Sequence, residues 1–569
     1  MIRLFLARSV LGVALLAPVG LVQPLSAAEA PATLADAVAT LQSGDAPGAA
    51  KMLEAITERE PENAHAWSLL GTLYKGGKQL DKAAAAYQHA MEVDPTRPNP
   101  LYSLAAVAAL RGQKDEAFQW LTKAKATGKA DLTGLSQDDD FAAIMDDKRF
   151  AGFVPKADDF ADPFVEQVKV IREFDGEAAN DQFGWIARKL GDADGDGVTD
   201  FVTSAPNHAS GGKDAGRVYV YSTGTGKLLW QADGKAGDIL GTGVECAGDT
   251  NGDGIPDVIA SGPPNGVAYI YSGKDGRILQ SLKSSSKTPE AFGQHVAGVG
   301  DVNHDGCADV IIGAPPPPGK PGKGMGHAYV YSGKDGKTLL TLTGESEGDR
   351  FGNAVAGYSD GKQMFLVVGA PKAGPEKHGR VFVYTGLTKK ARFTFDGDST
   401  ASAYGAMFLS VIGDTDGDGT PDIYVSDWPN NAKGPSTGRV YVYSGKDGHP
   451  LLTLTGEHEG GGLGTSPSPA GDVDHDGHDD LIVGAWQYAG GATSGGRGYL
   501  FSGKDGSLMK TYTCRTAGDT FGFDAVGMGD VDHDGTVDFL ITSGWSGIHG
   551  YHSGRVFLIS SGVTPEKAK

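Results

Sequence analysis

Six short acidic segments, repeated at nearly constant spacing, constrain this chain more than any other feature of its sequence. Asp192, Asp249, Asp301, Asp414, Asp472 and Asp530 each open a nine-residue loop, at separations of 57, 52, 113, 58 and 58 residues. The 113 is two steps, so a further unit lies between residues 310 and 410. Its landmarks are present in Phe351-Gly352, Val367-Val368-Gly369-Ala370-Pro371 and Gly379-Arg380-Val381-Phe382-Val383-Tyr384, with Tyr358-Ser359-Asp360-Gly361 in place of the acidic loop. That makes seven units.

Each unit reads as four short strands. An aromatic-Gly or Leu-Gly pair (Phe183-Gly184, Phe292-Gly293, Phe521-Gly522) starts strand A, which runs into the acidic loop. Strand B follows, as in Val310-Ile311-Ile312-Gly313-Ala314-Pro315, then a Gly/Pro-rich loop and strand C, as in Arg439-Val440-Tyr441-Val442-Tyr443. The turn Ser444-Gly445-Lys446-Asp447-Gly448 reverses the chain into strand D at 451–454. Gly supplies the positive φ that short hairpin turns need, which accounts for a content of 86 glycines without a collagen period. Seven four-stranded units of similar length predict a β-propeller over residues 164–560. Residues 168–174 look like a strand D with nothing before it, and the chain ends on a strand C at 555–559. The first strand is therefore expected to complete the last blade.

The loops carry their own chemistry. In Asp192-Ala193-Asp194-Gly195-Asp196-Gly197-Val198-Thr199-Asp200, oxygen donors stand at positions 1, 3, 5 and 9, with a backbone carbonyl at 7. Odd spacing lets alternate side chains converge on a hard cation. The expected ligands are Asp192, Asp194, Asp196, Val198 and Asp200 in the first loop, and Asp249, Asn251, Asp253, Ile255 and Asp257 in the second. The third loop offers Asp301, Asn303, Asp305, Cys307 and Asp309, and the fourth Asp414, Asp416, Asp418, Thr420 and Asp422. Asp472, Asp474, Asp476, His478 and Asp480 form the fifth set, and Asp530, Asp532, Asp534, Thr536 and Asp538 the sixth. Gly197 permits the bend, and Gly252, Gly306, Gly419, Gly477 and Gly535 are read as repeating it. No Glu stands at position 12, which excludes an EF-hand, and Mg²⁺ prefers a tighter octahedron. Up to six Ca²⁺ ions are expected, bound more weakly where Asn replaces Asp at position 3. His304, His475 and His533, at position 4, are expected to face solvent.

The blade motifs resemble FG-GAP repeats, the units of the integrin α-subunit propeller. Phe183-Gly184 with Ala205-Pro206, Phe292-Gly293 with Gly313-Ala314-Pro315, and Phe351-Gly352 with Gly369-Ala370-Pro371 carry the resemblance. Blades five to seven depart from it, with Asp427-Trp428-Pro429, Ala485-Trp486 and Gly544-Trp545. Nothing resembles an inserted ligand domain. The resemblance implies a binding module.

Residues 30–128 are helical and Ala-rich, with a period of 34. Trp67, Leu70, Gly71 and Tyr74 fall on one helix, Ala83, Tyr87 and Ala90 on the next, and Pro95 ends the unit; this resembles the tetratricopeptide repeat. Residues 129–163 are expected to hold a polar-faced capping helix and a linker, and 561–569 a tail. The fold class is thus multidomain: all-α tetratricopeptide-like helical repeats, then an all-β seven-bladed propeller.

Residues 1–28 read as a signal peptide. Arg3 and Arg8 precede an apolar run, and Ser26-Ala27-Ala28 offers small residues for cleavage. No later segment is long and apolar enough to span a bilayer, so export to the periplasm, cell surface or medium is expected. The net charge of −21 becomes −23 once residues 1–28, with two arginines and no acid, are removed. That balance argues against nucleic acid or anionic membrane as partner. Cys246, Cys307 and Cys514 allow at most one disulfide.

A partner is expected on the loop face opposite the calcium loops. Trp428, Trp486, Tyr488, Trp545 and Tyr551 are candidate contacts, the alternative being that the Trp residues plug the space between blades. The helical repeats offer a groove for a peptide. No H-E-x-x-H, P-loop or paired-Glu signal is present, so no enzyme is expected. The leading reading is an interaction or adhesion scaffold with a protein partner. A lectin-like glycan binder is the alternative, and a polysaccharide lyase a third.

Overall fold

The computed structural model describes residues 31–42, 44–317, 324–466 and 468–564. The expected signal peptide, residues 565–569 of the tail and part of the 315–326 loop lie outside them. No helix of the described residues is long and apolar enough to cross a membrane. Two compact units divide the chain, one ending at Val154 and the other beginning at Pro155.

Among its described residues the first unit holds six α-helices: α1 (Leu34–Gln42), α2 (Ala46–Arg59), α3 (Ala64–Gly76), α4 (Leu80–Val93), α5 (Asn99–Leu110) and α6 (Lys114–Ala126). They pack as successive hairpins. Asp45 and Asn63 cap α2 and α3 by accepting the N–H of Gly48 (2.9 Å) and Ala66 (3.0 Å). A Cβ at Gly71 would stand 2.7 Å from the Tyr87 ring, so only glycine lets α3 and α4 close on that ring.

The expected capping helix does not form. Residues 132–153 make short 3₁₀ turns at Leu135–Gln137, Asp139–Phe141 and Phe150–Gly152. Asp131 and Asp138 accept the N–H groups of Thr133 (2.9 Å) and Asp140 (3.0 Å), and such local bonds compete with helix. The segment still seals the array, because Leu135, Phe141, Ile144 and Phe150 are buried against α5 and α6.

The second unit contains seven four-stranded antiparallel sheets. The first is Ala187–Gly191, Asp200–Ala205, Arg217–Tyr221 and Leu228–Asp233. In the last, Ala525–Gly529, Asp538–Ser543 and Arg555–Ser560 are completed by Val170–Asp175, which pairs antiparallel with Arg555–Ser560. A strands lie against A strands at six of the seven blade junctions, including that of blades seven and one. The ring is closed. The hidden blade is present as Ala354–Ser359, Met364–Ala370, Arg380–Tyr384 and Phe393–Asp396.

Strand B is buried along its whole length, Asp309–Ala314 being an example, because each sheet packs on a neighbour through both faces. One position of this strand explains the aromatic-Gly pairs. In blades three, four and six it is Gly313, Gly369 and Gly484, where a Cβ would meet the carbonyl oxygen of Gly352, Gly405 and Gly522 in the following blade at 2.2, 1.9 and 1.9 Å. In blades one, two and five it is Ser204, Ser261 and Ser426. Their hydroxyls donate to the carbonyls of Gly241, Gly293 and Gly464 at 2.8, 2.7 and 2.6 Å. The blades are stitched either by direct backbone approach or by a serine. Gly484→Ala is expected to destabilise the protein by about 1–3 kcal/mol through overpacking, measured by urea unfolding.

In blades one, four, five and six the arginine that opens strand C ties the blade to the connection that precedes it. Arg217, Arg380, Arg439 and Arg497 bond the last residue of their own strand D, at Asp233, Asp396, Thr455 and Thr513. Each also reaches an acid in the preceding connection: Glu177, Glu345, Asp398 and Glu457.

Candidate metal centres and the aromatic loop face

All six acidic loops fold alike. The position-1 carboxylate accepts the N–H of position 6 at 2.7–3.0 Å in every one. The position-9 residues Asp200, Asp257, Asp309, Asp422, Asp480 and Asp538 are fully buried. Each accepts the N–H of position 2 at 2.8–2.9 Å. In the first five loops seen in blades one, two, three, five and six, its second oxygen accepts an N–H from the strand C–D turn at 3.0–3.2 Å. Blade seven borrows its strand D and has no such turn, and Asp538 Oδ1 is left buried without a partner. The second loop bends at Gly254 (φ +84°); Gly252 (φ +77°) is its position 4. His304, His475 and His533 hold position 4 of their loops at φ of 58–63° and are exposed.

Four of the loops bring three acids within 4.8 Å of one another: Asp192, Asp194 and Asp196; Asp414, Asp416 and Asp422; Asp472, Asp474 and Asp480; Asp530, Asp532 and Asp538. In the second and third loops the Asn amide turns toward a carboxylate. Asn251 Nδ2 lies 3.4 Å from Asp257 and Asn303 Nδ2 3.0 Å from Asp305. Burial pushes the carboxyls of Asp200, Asp309, Asp422 and Asp480 up to about 6 and that of Asp538 to about 7, with neighbouring aspartates adding to the rise. Lysines partly offset the charge: Lys169 lies 2.6 and 2.7 Å from Asp532 and Asp534, and Lys504 3.4 Å from Asp476. Convergent carboxylates, a buried oxygen lacking a donor, and O-only side-chain donors in four loops fit a hard divalent cation. Cys246, Cys307 and Cys514 are separate free thiols.

Antiparallel order puts the B–C and D–A connections at the opposite end of each blade. There, Trp428, Trp486, Trp545, Phe523 and Trp185 form one aromatic cluster across blades five, six, seven and one. Ring centroids lie 6.2 Å apart for Trp428–Trp486, 4.5 Å for Trp486–Trp545 and 4.9 Å for Trp185–Phe523. Trp486, Trp545 and Tyr488 are buried, so these expected contacts serve chiefly as packing. Tyr488 also stacks on Arg497, 3.9 Å away. Trp428 is partly exposed, as is Tyr551, whose ring lies 3.6 Å from that of His552. Trp185, also partly exposed, extends the cluster. It was signalled in the sequence by an aromatic directly after an aromatic-Gly pair, as was Phe523.

Beside this cluster, Arg188 of blade one is buried between Asp524 of blade seven and Glu245 of blade two, 2.8 Å from the latter. His295 of blade three titrates near 4, its charged form disfavoured by burial and then by Arg188.

An FG-GAP-like repeat matches residues 249–312 and 414–483, and an FG-GAP repeat matches 183–221. Integrin alpha pat-2 of Caenorhabditis briggsae is 30% identical over 261 residues, covering 39% of this chain and 20% of that protein. Integrin alpha-4 of Xenopus laevis is 30% identical over 166 residues (27% and 15%). Integrin alpha-PS5 of Drosophila melanogaster is 32% identical over 169 residues (26% and 16%). The chain spans a fifth or less of the length of these relatives.

Proposed function

From a propeller built of FG-GAP repeats with integrin alpha homologues, we propose an exported interaction or adhesion scaffold that calcium makes rigid. The observation that carries this reading is the common architecture of the six loops, each with a buried position-9 carboxylate, four of them gathering three acids within 4.8 Å of one another. The residues that would hold calcium are those at positions 1, 3, 5 and 9, with the position-7 carbonyl. Bound calcium would supply charge neutralisation between strands A and B, joining the two strands that line and back the ring.

A protein partner would meet the opposite face, with Trp428 and Trp185 as the accessible ends of the aromatic cluster. Their buried neighbours fix the rings in place, so little side-chain entropy is lost on contact. The helical hairpins of the first unit would act as tetratricopeptide-like repeats receiving a peptide segment. Capture from the native cell envelope on immobilised full chain tests this. Capture is expected in calcium, to be lost in EGTA, and to fall at least about tenfold for Trp185→Ala/Trp428→Ala. Equal capture by wild type and the double variant would contradict it.

A further inference from the structure

The ring of acidic loops is interrupted at blade four, and the interruption leaves a cleft of about 560 Å³ between the third loop and the fourth. The four-residue connection from Ser359 to Met364 replaces a nine-residue loop there. In a chain of net charge −21, this cleft is lined by three cations: Lys362 from that connection, Arg392 from the start of strand D, and Lys446 from the neighbouring blade's turn. Among the described residues, neither Lys362 nor Arg392 has an ion pair. Arg392 is held in place by the carbonyl of Lys446 and by the Phe393 ring, 4.7 Å away. Lys446 lies 3.6 Å from Asp418. The nearby Asp360 spends Oδ1 on the N–H groups of Lys362 (2.8 Å) and Gln363 (2.7 Å).

Two further groups narrow the ligand. Gln363 donates Nε2 to the carbonyl of Gly419 at 3.2 Å, which fixes its amide, while its Oε1 is buried with no donor. That oxygen calls for a hydroxyl. Leu387, 40% exposed, is among the residues lining the cleft and offers an apolar edge for the C–H face of a ring. Unpaired cations, a waiting acceptor and an apolar edge within one cleft match a hydroxylated ring bearing an oxyanion.

We propose that this cleft binds an acidic sugar unit, carrying a carboxylate or a sulfate, on the calcium-loop side of the propeller. The site is independent of the protein-binding face proposed above. Titration calorimetry of the full chain in millimolar CaCl₂ tests it with three probes: trigalacturonate, a sulfated galactotriose and neutral galactotriose. One or both acidic probes are expected to bind, the stronger identifying the anion's source, and the neutral one to bind at least about tenfold more weakly. Lys362→Gln/Arg392→Gln, with an unchanged melting temperature, is expected to lose at least about tenfold in affinity. Gln363→Leu is expected to weaken the sugar without altering binding of free sulfate. Equal binding of neutral and acidic probes overturns the proposal. So does full retention of binding in the double variant, which would mean the anion bridges through calcium. Displacement of the sugar by an equimolar acidic hexapeptide would also overturn it, in favour of a peptide acid as ligand.

Discussion

Replacing Arg555 with alanine is expected to destabilise the protein by about 3–5 kcal/mol, read from the urea midpoint at constant slope. Arg555 opens the last strand C of the propeller, opposite Asp175 of the strand contributed by the start of the unit. It is fully buried, as is Asp519, whose Oδ2 it meets at 2.7 Å. It also donates to the carbonyl of Phe160 at 3.3 Å and lies 4.3 Å from the Phe557 ring. Truncation leaves the Asp519 carboxylate without its counter-charge in a site that water does not reach. Removing both members, as in Arg555→Met/Asp519→Leu, is expected to recover much of the loss, because the only charge left unpaired is the partly exposed Glu173, which also lies 3.5 Å from Arg555. A change below about 1 kcal/mol for Arg555→Ala would remove this ion pair from any role in closing the ring.

Stripping calcium is expected to have the largest effect of all. For sites in the weak extracellular class, about 10⁻⁴–10⁻³ M, each contributes about 1–2.3 kcal/mol at 5 mM Ca²⁺. Six acting together amount to roughly 6–14 kcal/mol, and a melting temperature lowered on the order of 10 °C follows. The effect should depend on pH in a definite direction. Burial raises the position-9 carboxyls above the ordinary value of 3.8, those of Asp200, Asp309, Asp422 and Asp480 to about 6 and that of Asp538 to about 7. A folded pKa above the unfolded one stabilises fully at pH below the unfolded value, and that stabilisation is lost as pH rises through the folded value. The calcium-free protein is therefore expected to lose stability between about pH 4 and pH 7, while the calcium-loaded protein does not. Differential scanning calorimetry at fixed ionic strength, with and without calcium, reads both. A melting temperature unchanged by EGTA at pH 7.5 would contradict the stabilising role.

Periodic features were legible in the sequence and cross-blade ones were not. The acidic loops, the four-strand units, the blade that lost its loop and the borrowed final strand all follow from motifs that repeat along the chain. Residues 132–153 were not legible, because an amphipathic pattern with Asp138-Asp139-Asp140 suits a capped helix as well as it suits successive 3₁₀ turns. The choice is made locally, by Asp131 and Asp138 bonding backbone N–H groups two residues on. The stitch between Gly484 and Gly522, the ion pair of Arg188 with Asp524 and the junction of Trp185 with Phe523 join residues 38 to 338 positions apart. Only closure of the ring brings such partners together. For the same reason the burial of Trp486 and Trp545 could not be read from a one-dimensional pattern, whereas the exposure of the position-4 histidines could.

The central claim is that these loops hold calcium within a closed seven-bladed ring, and direct counting of bound ions tests it. Titration calorimetry of the calcium-free chain is expected to show saturable binding of up to six equivalents, the weakest belonging to the two loops with Asn251 and Asn303. Asp422→Asn is expected to weaken or remove one site while leaving the others. No saturable binding at millimolar calcium by a folded protein would contradict the account.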